Sequence, residues 1–447
     1  MVDTLRLGGG AGFAGDRLDA PVLLAERGDL DYLILECLAE RTIALAQLRR
    51  RRDPTKGYDT RLVARIESLL PLLKRHHTRL VSNLGAANPL AAADVIVDVA
   101  KRLKLPVKVA AVTGDDVLAQ LGPDAVAMET GERLSRYAPL VSANAYIGAD
   151  ALLPALATGA DIVIAGRVAD PSLFVAPLAH HFGWRADDYL RIARGTAVGH
   201  LLECAGQLCG GYFADPGPKD IPGLAYLGFP FADVDADGNA TLGKVAGTGG
   251  RITVATATEQ LLYEVTDPHA YLTPDVAADF SGIALVDAGA DRVSVRGATG
   301  NGRPDQLKVS VGYLAGYVGE GEIAYAGTNA MARARLAADI IAERLDDQFP
   351  DLRIDLIGST SLHGRALDAT ERPYEVRLRV AARADSAAVA AIIGDEVEAL
   401  YTNGPAGGGG ARKLVNEQVG IVSTLIDRSR VSTAVTIREW AGHAETV

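Results

Sequence analysis

Short apolar runs rich in β-branched residues alternate with helical patterns through the first half of the chain, and this alternation restricts the fold more than any other feature. The strand candidates are Thr4–Leu7, Tyr32–Leu35, Thr78–Ser82, Val107–Val112, Leu140–Ala143 and Ile162–Ala165. They are short, largely apolar and often β-branched, as buried parallel strands should be. The intervening helical pattern is clearest in Pro89–Leu103. There Ile96, Val99, Ala100 and Leu103 share one face, and Asp94, Asp98 and Lys101 lie on another. Such alternation predicts an α/β domain, a doubly wound and mostly parallel sheet with right-handed crossovers, over residues 1–205.

A chain of 447 residues exceeds one ordinary core, so more than one domain is expected. Residues 206–305 read as a connecting segment. Phe231–Leu242 has the pattern of a hairpin, with Asp237-Gly238 supplying the positive φ of its turn. A glycine-rich turn at Gly247–Gly250 precedes a helix containing Glu259–Val265. Residues 306–447 have a different order: a strand pair over Leu307–Ala326, a helix at Ala330–Leu345 and strands at Arg353–Ile357 and Tyr374–Ala381. A helix at Ala387–Leu400 and strands near Ile421–Leu425 and Thr433–Ile437 follow. In the second of these strands Tyr374, Val376, Leu378 and Val380 alternate with Glu375, Arg377 and Arg379, so one sheet face is polar. The order predicts an α+β, ferredoxin-like C-terminal domain.

Charge and cysteine usage narrow the setting. A net charge of −11 opposes binding to a phosphate backbone, so no nucleic-acid partner is expected. The one basic run, Arg49–Arg52, fits a solvated helix C-terminus. Cys37, Cys204 and Cys209 show no metal-ligand spacing and suit a reducing compartment. With no signal peptide and no bilayer-spanning apolar stretch, the expectation is a cytoplasmic protein without a membrane partner.

Ligands of open α/β sheets bind beyond the carboxyl ends of the strands. The residues following the six candidates are a glycine loop with Gly9, Gly10, Gly12 and Asp16, then Glu36, then Asn83 and Asn88. Thr113, Asp115 and Asp116 follow the fourth, Asn144 the fifth, and Arg167 and Asp170 the sixth. Single members of this set are ordinary turn formers; together they predict a polar crevice. Gly10, Gly12 and Gly15 also satisfy G-x-G-x-x-G, with Glu36 near the position of a ribose-binding acid. However, Asp16, Asp19 and Pro21 delay the following helix, with Pro21 its expected first residue, so an anion-binding loop is expected in preference to a dinucleotide site. His200, Glu203 and Cys204 share a helix face if helical, and His200 with Glu203 makes an acid/base pair. Thr248, Gly249 and Gly250 could present N–H groups to a carbonyl oxygen. No spacing demands a metal.

Several of these segments resemble the acyclic terpene utilisation family, from residue 5 to about residue 330. They include Leu7–Asp16, Ser82–Pro89, Val112–Asp116, Asn144–Gly148, Gly159–Asp170, His200–Cys204, Gly247–Gly250 and Tyr271–Val276. The resemblance implies catabolism of a branched acyl substrate, with a CoA thioester as the substrate moiety and no defined cofactor. It also implies a separate small ferredoxin-fold partner protein. With the site residues, it leads to a hydro-lyase or hydratase: His200 and Glu203 as acid/base, Asp115, Asp116 or Asp170 as substitutes, Gly9, Gly10 and Gly12 around an oxyanion or phosphate, and Arg167 on a carboxylate. An NAD(P)-dependent oxidoreductase and a non-catalytic ligand-binding subunit are the alternatives. The polar face of the C-terminal sheet leads to the expectation of a homo-oligomer.

Overall fold

The computed structural model describes residues 4–122, 124–364 and 373–442. The large sheet is built around β1 (Thr4–Ala11), β2 (Tyr32–Leu35), β3 (Arg79–Ser82), β4 (Val107–Thr113) and β6 (Ile162–Ala165). These run parallel in the order β1-β2-β3-β6-β4. β5 (Leu140–Ala145) forms where a strand is expected but is not in this sheet. β6 inserts between β3 and β4, and the last strand, β18 (Ala434–Trp440), covers the outer edge of β4. No edge remains for β5, which pairs instead with β14 (Gln306–Ala326).

Helices cover both faces of the parallel core. α1 (Asp19–Arg27), α3 (Leu62–His76) and α4 (Pro89–Leu103) pack with Leu33, Leu35, Leu80 and Ile162. α5 (Leu153–Ala157), α6 (Ser172–Phe182) and α7 (Tyr189–Leu202) pack with Tyr32, Ile34, Val81 and Val163. Successive residues of one strand feed opposite cores, which explains why β2 and β6 are apolar at every position and the other strands are largely so. α2 (Glu40–Arg52) follows β2.

Residues 206–305 extend the same sheet. β7 (Pro230–Asp235) and β8 (Ala240–Lys244) form the expected hairpin, with Gly238 at φ 80° in its turn. β7 lies antiparallel to β1. Beyond α8 (Val254–Leu262), β9 (Tyr271–Leu272) and β10 (Ala277–Asp279) join β13 (Thr299–Asn301) in a small sheet. β11 (Ala284–Asp287) and β12 (Val293–Arg296) continue the large sheet beside β8, to ten strands in all. The parallel core therefore carries antiparallel flanks.

Two compact units emerge: residues 1–136, 140–312 and 421–447, and residues 137–139 with 313–420. In the second, α9 (Ala330–Leu345) follows β14, and β15 (Arg353–Ile357) and β16 (Glu375–Ala384) precede α10 (Ala387–Asn403) and β17 (Gly409–Asp427). The sheet order is β15-β16-β14-β17. Ile323, Tyr325, Val376, Leu378 and Val380 pack on Ala334, Ile341, Ile393 and Val397, while Arg377 and Arg379 meet Glu322 and Glu320. The expected strand pair over Leu307–Ala326 is one continuous strand. Its two halves have different neighbours: Tyr317–Ala326 pair with β16, and Tyr146 N–H reaches the carbonyl of Lys308 in the earlier half.

Candidate functional site

The parallel strands bring polar residues to one rim. Asn83, at the end of β3, accepts the Cys37 N–H (2.8 Å) and donates to Glu36 beyond β2 (2.9 Å). The same Glu36 oxygen takes the Leu38 N–H at 2.8 Å and lies 3.9 Å from the Arg167 guanidinium. Asp115, beyond β4, accepts from Asn144 Nδ2 (2.8 Å) and from the Arg167 N–H (2.9 Å) on one oxygen. Gly166 is required for this approach, because a Cβ there would stand 2.4 Å from the Asp115 carboxylate. Asn83, Asp115, Asn144 and Arg167 therefore meet through hydrogen bonds and the Glu36–Arg167 ion pair, although Asn144 arrives on a strand outside the sheet.

Arg167 is the hub. Its side chain is 1 % exposed, and its donors reach the carbonyls of Leu38 and Val168 and the carboxylate of Asp170. The guanidinium lies over the Tyr146 ring at 4.5 Å, and Tyr146 Oη donates to Glu40 at 2.6 Å. Lys308 meets the same Glu40 oxygen at 3.1 Å and also lies over the Tyr146 ring. Burial alone would raise the Glu40 carboxyl, but Tyr146, a backbone N–H and Lys308 outweigh it and hold the group at about 2. Arg167 reaches no solvent, so the expectation that it grips a substrate carboxylate is replaced by one of charge balance within the protein.

Two carboxyls, Glu36 and Asp170, meet this guanidinium, and a third, Glu203, lies buried against His200. Burial raises Glu36 well above the usual carboxylate range, with Asp170 adding to the effect and Arg167 opposing it. Asp170 is raised by burial against the pull of Arg167. Glu203 is raised well above its ordinary value by burial, then by Asp170 and Glu264. Its Oε1 stands 3.1 Å from His200 Nδ1, and its Oε2 is buried without a partner. Burial pushes His200 down to about 4. His200 Nε2 faces the Leu261 carbonyl at 3.2 Å, so that nitrogen carries the hydrogen and Nδ1 is the acceptor. A protonated Glu203 can donate through Oε1 to the neutral His200 Nδ1, which the Tyr271 hydroxyl also faces at 3.4 Å, while Glu203 Oε2 stays unpartnered. Tyr271 and Phe280 close around the imidazole, with ring centroids 5.1 and 5.7 Å away. Asp170 is the outward member of the cluster, its side chain 36 % exposed.

A cleft of about 500 Å³ opens beyond β3 and β4, and Asn88, Thr113, Asp115 and Asp116 line it with Arg50; of the hydrogen-bonded rim it includes Asp115, whereas Glu36, Arg167, Asp170, His200 and Glu203 do not line it. Asp115 thus belongs to both places, and burial raises its carboxyl against the two hydrogen bonds it accepts. Asp116 pairs with Gln47 (3.1 Å) and Arg50 (3.5 Å). Asn88 serves the backbone: it caps α4 through Ala91 N–H and donates to the carbonyls of Pro54 and Lys56.

Other expected site residues have structural roles. The glycines after Leu7 do not form a loop; β1 continues to Ala11. A Cβ at Gly9 would stand 2.5 Å from the Leu202 carbonyl oxygen, one at Gly10 2.7 Å from Leu33 and Leu35, and one at Gly12 2.7 Å from the Cys204 backbone. The small residues let the end of α7, and with it Glu203, lie directly against β1. Asp16 accepts the Gly12 N–H (2.9 Å) and so closes the β1–α1 turn. α1 opens at Asp19, two residues before Pro21 and past all the glycines, and Glu36 is spent on Asn83 and Leu38; neither half of the dinucleotide pattern has its required setting. The N–H groups of Thr248, Gly249 and Gly250 bond the carbonyls of Val245, Tyr226 and Pro222, leaving none for an oxyanion. Cys204 and Cys209 are raised by burial, which suppresses the thiolate. Among the described residues, no group of three or more His, Cys, Asp or Glu side chains could hold a metal ion, and no helix is long and apolar enough to cross a membrane.

Glu40, Tyr146, Lys308 and Tyr271 escaped the sequence reading. Tyr146 stands two residues after Asn144 and Tyr271 opens the Tyr271–Val276 segment, so both were within reach. Glu40 and Lys308 carry no local signal.

Fold and site together define a mixed α/β protein with a parallel sheet core, a buried acid cluster and a ligand-sized cleft at the carboxyl rim. Residues 5–437 match the acyclic terpene utilisation family protein AtuA, and the chain belongs to that family. The family's part in acyclic terpene utilisation suggests a catabolic role. No curated protein matches the chain, and no solved structure does.

Proposed function

We propose that this protein is an enzyme of branched carboxylate or acyl-CoA catabolism that moves protons next to a carbonyl, as a hydratase or hydro-lyase does. One observation supports the reading: Glu36 and Asp170 share the buried Arg167 guanidinium, and Glu203 is buried against His200 with one carboxyl oxygen unpartnered. Two carboxyls on one cation, with a third buried beside a neutral imidazole, favour retention of a proton at neutral pH. Asp170, the outward carboxyl, acts as base and takes the proton beside the carbonyl, with the electron pair passing to the carbonyl oxygen. The pair then returns from that oxygen to form the carbon–carbon double bond as the C–O bond breaks; Glu203 gives its proton to the departing hydroxyl, which leaves as water, and His200 holds the acid in position. The cleft at Asp115 and Thr113 is of the size that takes a small ligand.

Purified protein incubated with branched enoyl-CoA and 3-hydroxyacyl-CoA thioesters tests this. Turnover is expected, falling about 10²–10⁴-fold in Asp170→Asn and Glu203→Gln and little in Asp116→Asn. Absence of turnover across the series, or unchanged rates in both cluster variants, would refute the reading.

A further inference from the structure

The cleft beyond β3 and β4 holds polar groups that the fold leaves unspent. Asp115 lines it while only 4 % exposed. Its Oδ2 accepts from Asn144 Nδ2 at 2.8 Å and from the Arg167 N–H at 2.9 Å, whereas its Oδ1 accepts a hydrogen bond from no other described residue. A buried carboxylate oxygen in this state is completed by an O–H or N–H that enters the cleft. Arg50 supplies the opposite character. Both of its contacts use Nη1, to the Ala87 carbonyl (2.8 Å) and to Asp116 (3.5 Å), so Nε and Nη2 meet no described acceptor. In the same lining, the Leu90 N–H in the first turn of α4 has no described acceptor either, because Asn88 Oδ1 caps Ala91. These donors, one of them charged, suit an anionic oxygen. Pro89, Leu118 and Ala119 add an apolar wall.

One kind of molecule meets each requirement at once. A carboxylate faces Arg50 and the Leu90 N–H, a hydroxyl donates to Asp115 Oδ1, and an aliphatic body lies on the apolar wall. Asp116 weighs against a polyanion: its carboxylate already shares Arg50, so the second charge of a phosphate would meet repulsion. An ammonium in place of the hydroxyl would lose far more hydration beside a carboxylate this deeply buried. We infer that the cleft is a binding site for a small aliphatic hydroxycarboxylate, held by Arg50 through the carboxylate and by Asp115 through the hydroxyl. Glu36, Asp170, His200 and Glu203 do not line the cleft, so the inference stands apart from the proton-transfer reading.

Titration calorimetry on the full chain tests this, with 2-hydroxyoctanoate and 3-hydroxyoctanoate as probes and octanoate as the acid that lacks the hydroxyl. At least one hydroxy acid should bind about 10-fold more tightly than octanoate. Arg50→Gln removes the charged donor and should weaken that binding about 10-fold. Asp116→Asn should act in the opposite sense, tightening it about 3-fold, because it releases Arg50 and removes a like charge. Two purely structural residues would not give opposite signs. Glu203→Gln, outside the cleft, should leave the affinity unchanged. No binding of either hydroxy acid at about 10 mM, or equal binding of octanoate, would overturn the inference. So would an Arg50→Gln chain that binds as the parent does, or an Asp116→Asn chain that binds no more tightly. A loss in Glu203→Gln as large as that in Arg50→Gln would place the ligand at the acid cluster instead and overturn it too. If Arg50→Gln fails to fold, the octanoate comparison and Asp116→Asn decide the matter.

Discussion

Gly9→Ala separates two roles for the glycine run. A ligand loop would leave open space around Gly9, and an added methyl would alter binding but not stability. The fold assigns packing instead: an ideal Cβ falls 2.5 Å from the Leu202 carbonyl oxygen and 3.3 Å from its carbon. Both are backbone atoms, so no rotamer change relieves the clash. The end of α7 must retreat, or β1 must move while held by β2 and β7. Overpacking costs roughly 1–3 kcal/mol, and an obstacle made of backbone puts this case at about 3. With a urea slope of about 3 kcal/mol/M, the midpoint falls by about 1 M. Both tryptophans, Trp184 and Trp440, lie in the first unit, so their fluorescence follows that unit alone. Gly122→Ala is the control: no atom lies within 4 Å of its added Cβ, and its midpoint should stay or rise slightly. An unchanged midpoint in Gly9→Ala would refute the packing account and restore a ligand role for the run.

Two further outcomes rest on buried titrations. The Asp275 carboxyl accepts the Ala149 N–H (2.8 Å) and a Ser172 hydroxyl, and burial lifts it to about 6 against those bonds. Because this acid is raised, the native state holds a proton that the unfolded chain has released, so its contribution weakens as pH rises between about 4 and 6. Asp275→Asn should therefore gain urea stability relative to the parent at pH 7.5 and lose that advantage at pH 4; the reverse trend would sink the argument. For His200, nitrogen NMR should show a neutral ring with hydrogen on Nε2 at pH 6, since burial holds it near 4; an imidazolium signal there would contradict the pairing with a protonated Glu203.

How much of this was legible in the sequence depended on whether the determining interaction was local. Tyr32–Leu35 and Ile162–Ala165 were found to the residue because a strand with helices on both faces must be apolar at each position, and turn formers end it. The polar rim was legible for the same reason: whatever follows such a strand lies at the carboxyl edge, so Asn83, Asp115 and Arg167 could be grouped before any contact was known. β5 was misplaced because its sequence specifies extension and not a partner. Membership of the large sheet was decided by β6 and β18, which come from elsewhere in the chain and fill both edges of β4. The glycine run failed in a more instructive way. Glycine serves equally where a ligand approaches backbone and where another element does, and only the arrival of Leu202 and Cys204, nearly two hundred residues later, distinguishes the cases. The charge of the Arg167 cluster has the same non-local origin. Each carboxyl is an ordinary surface residue in its own segment, and the shortage of cations arises only when β2, β6 and α7 converge. Pairing patterns and local composition therefore locate a rim of this kind, whereas its protonation is a property of the assembled sheet.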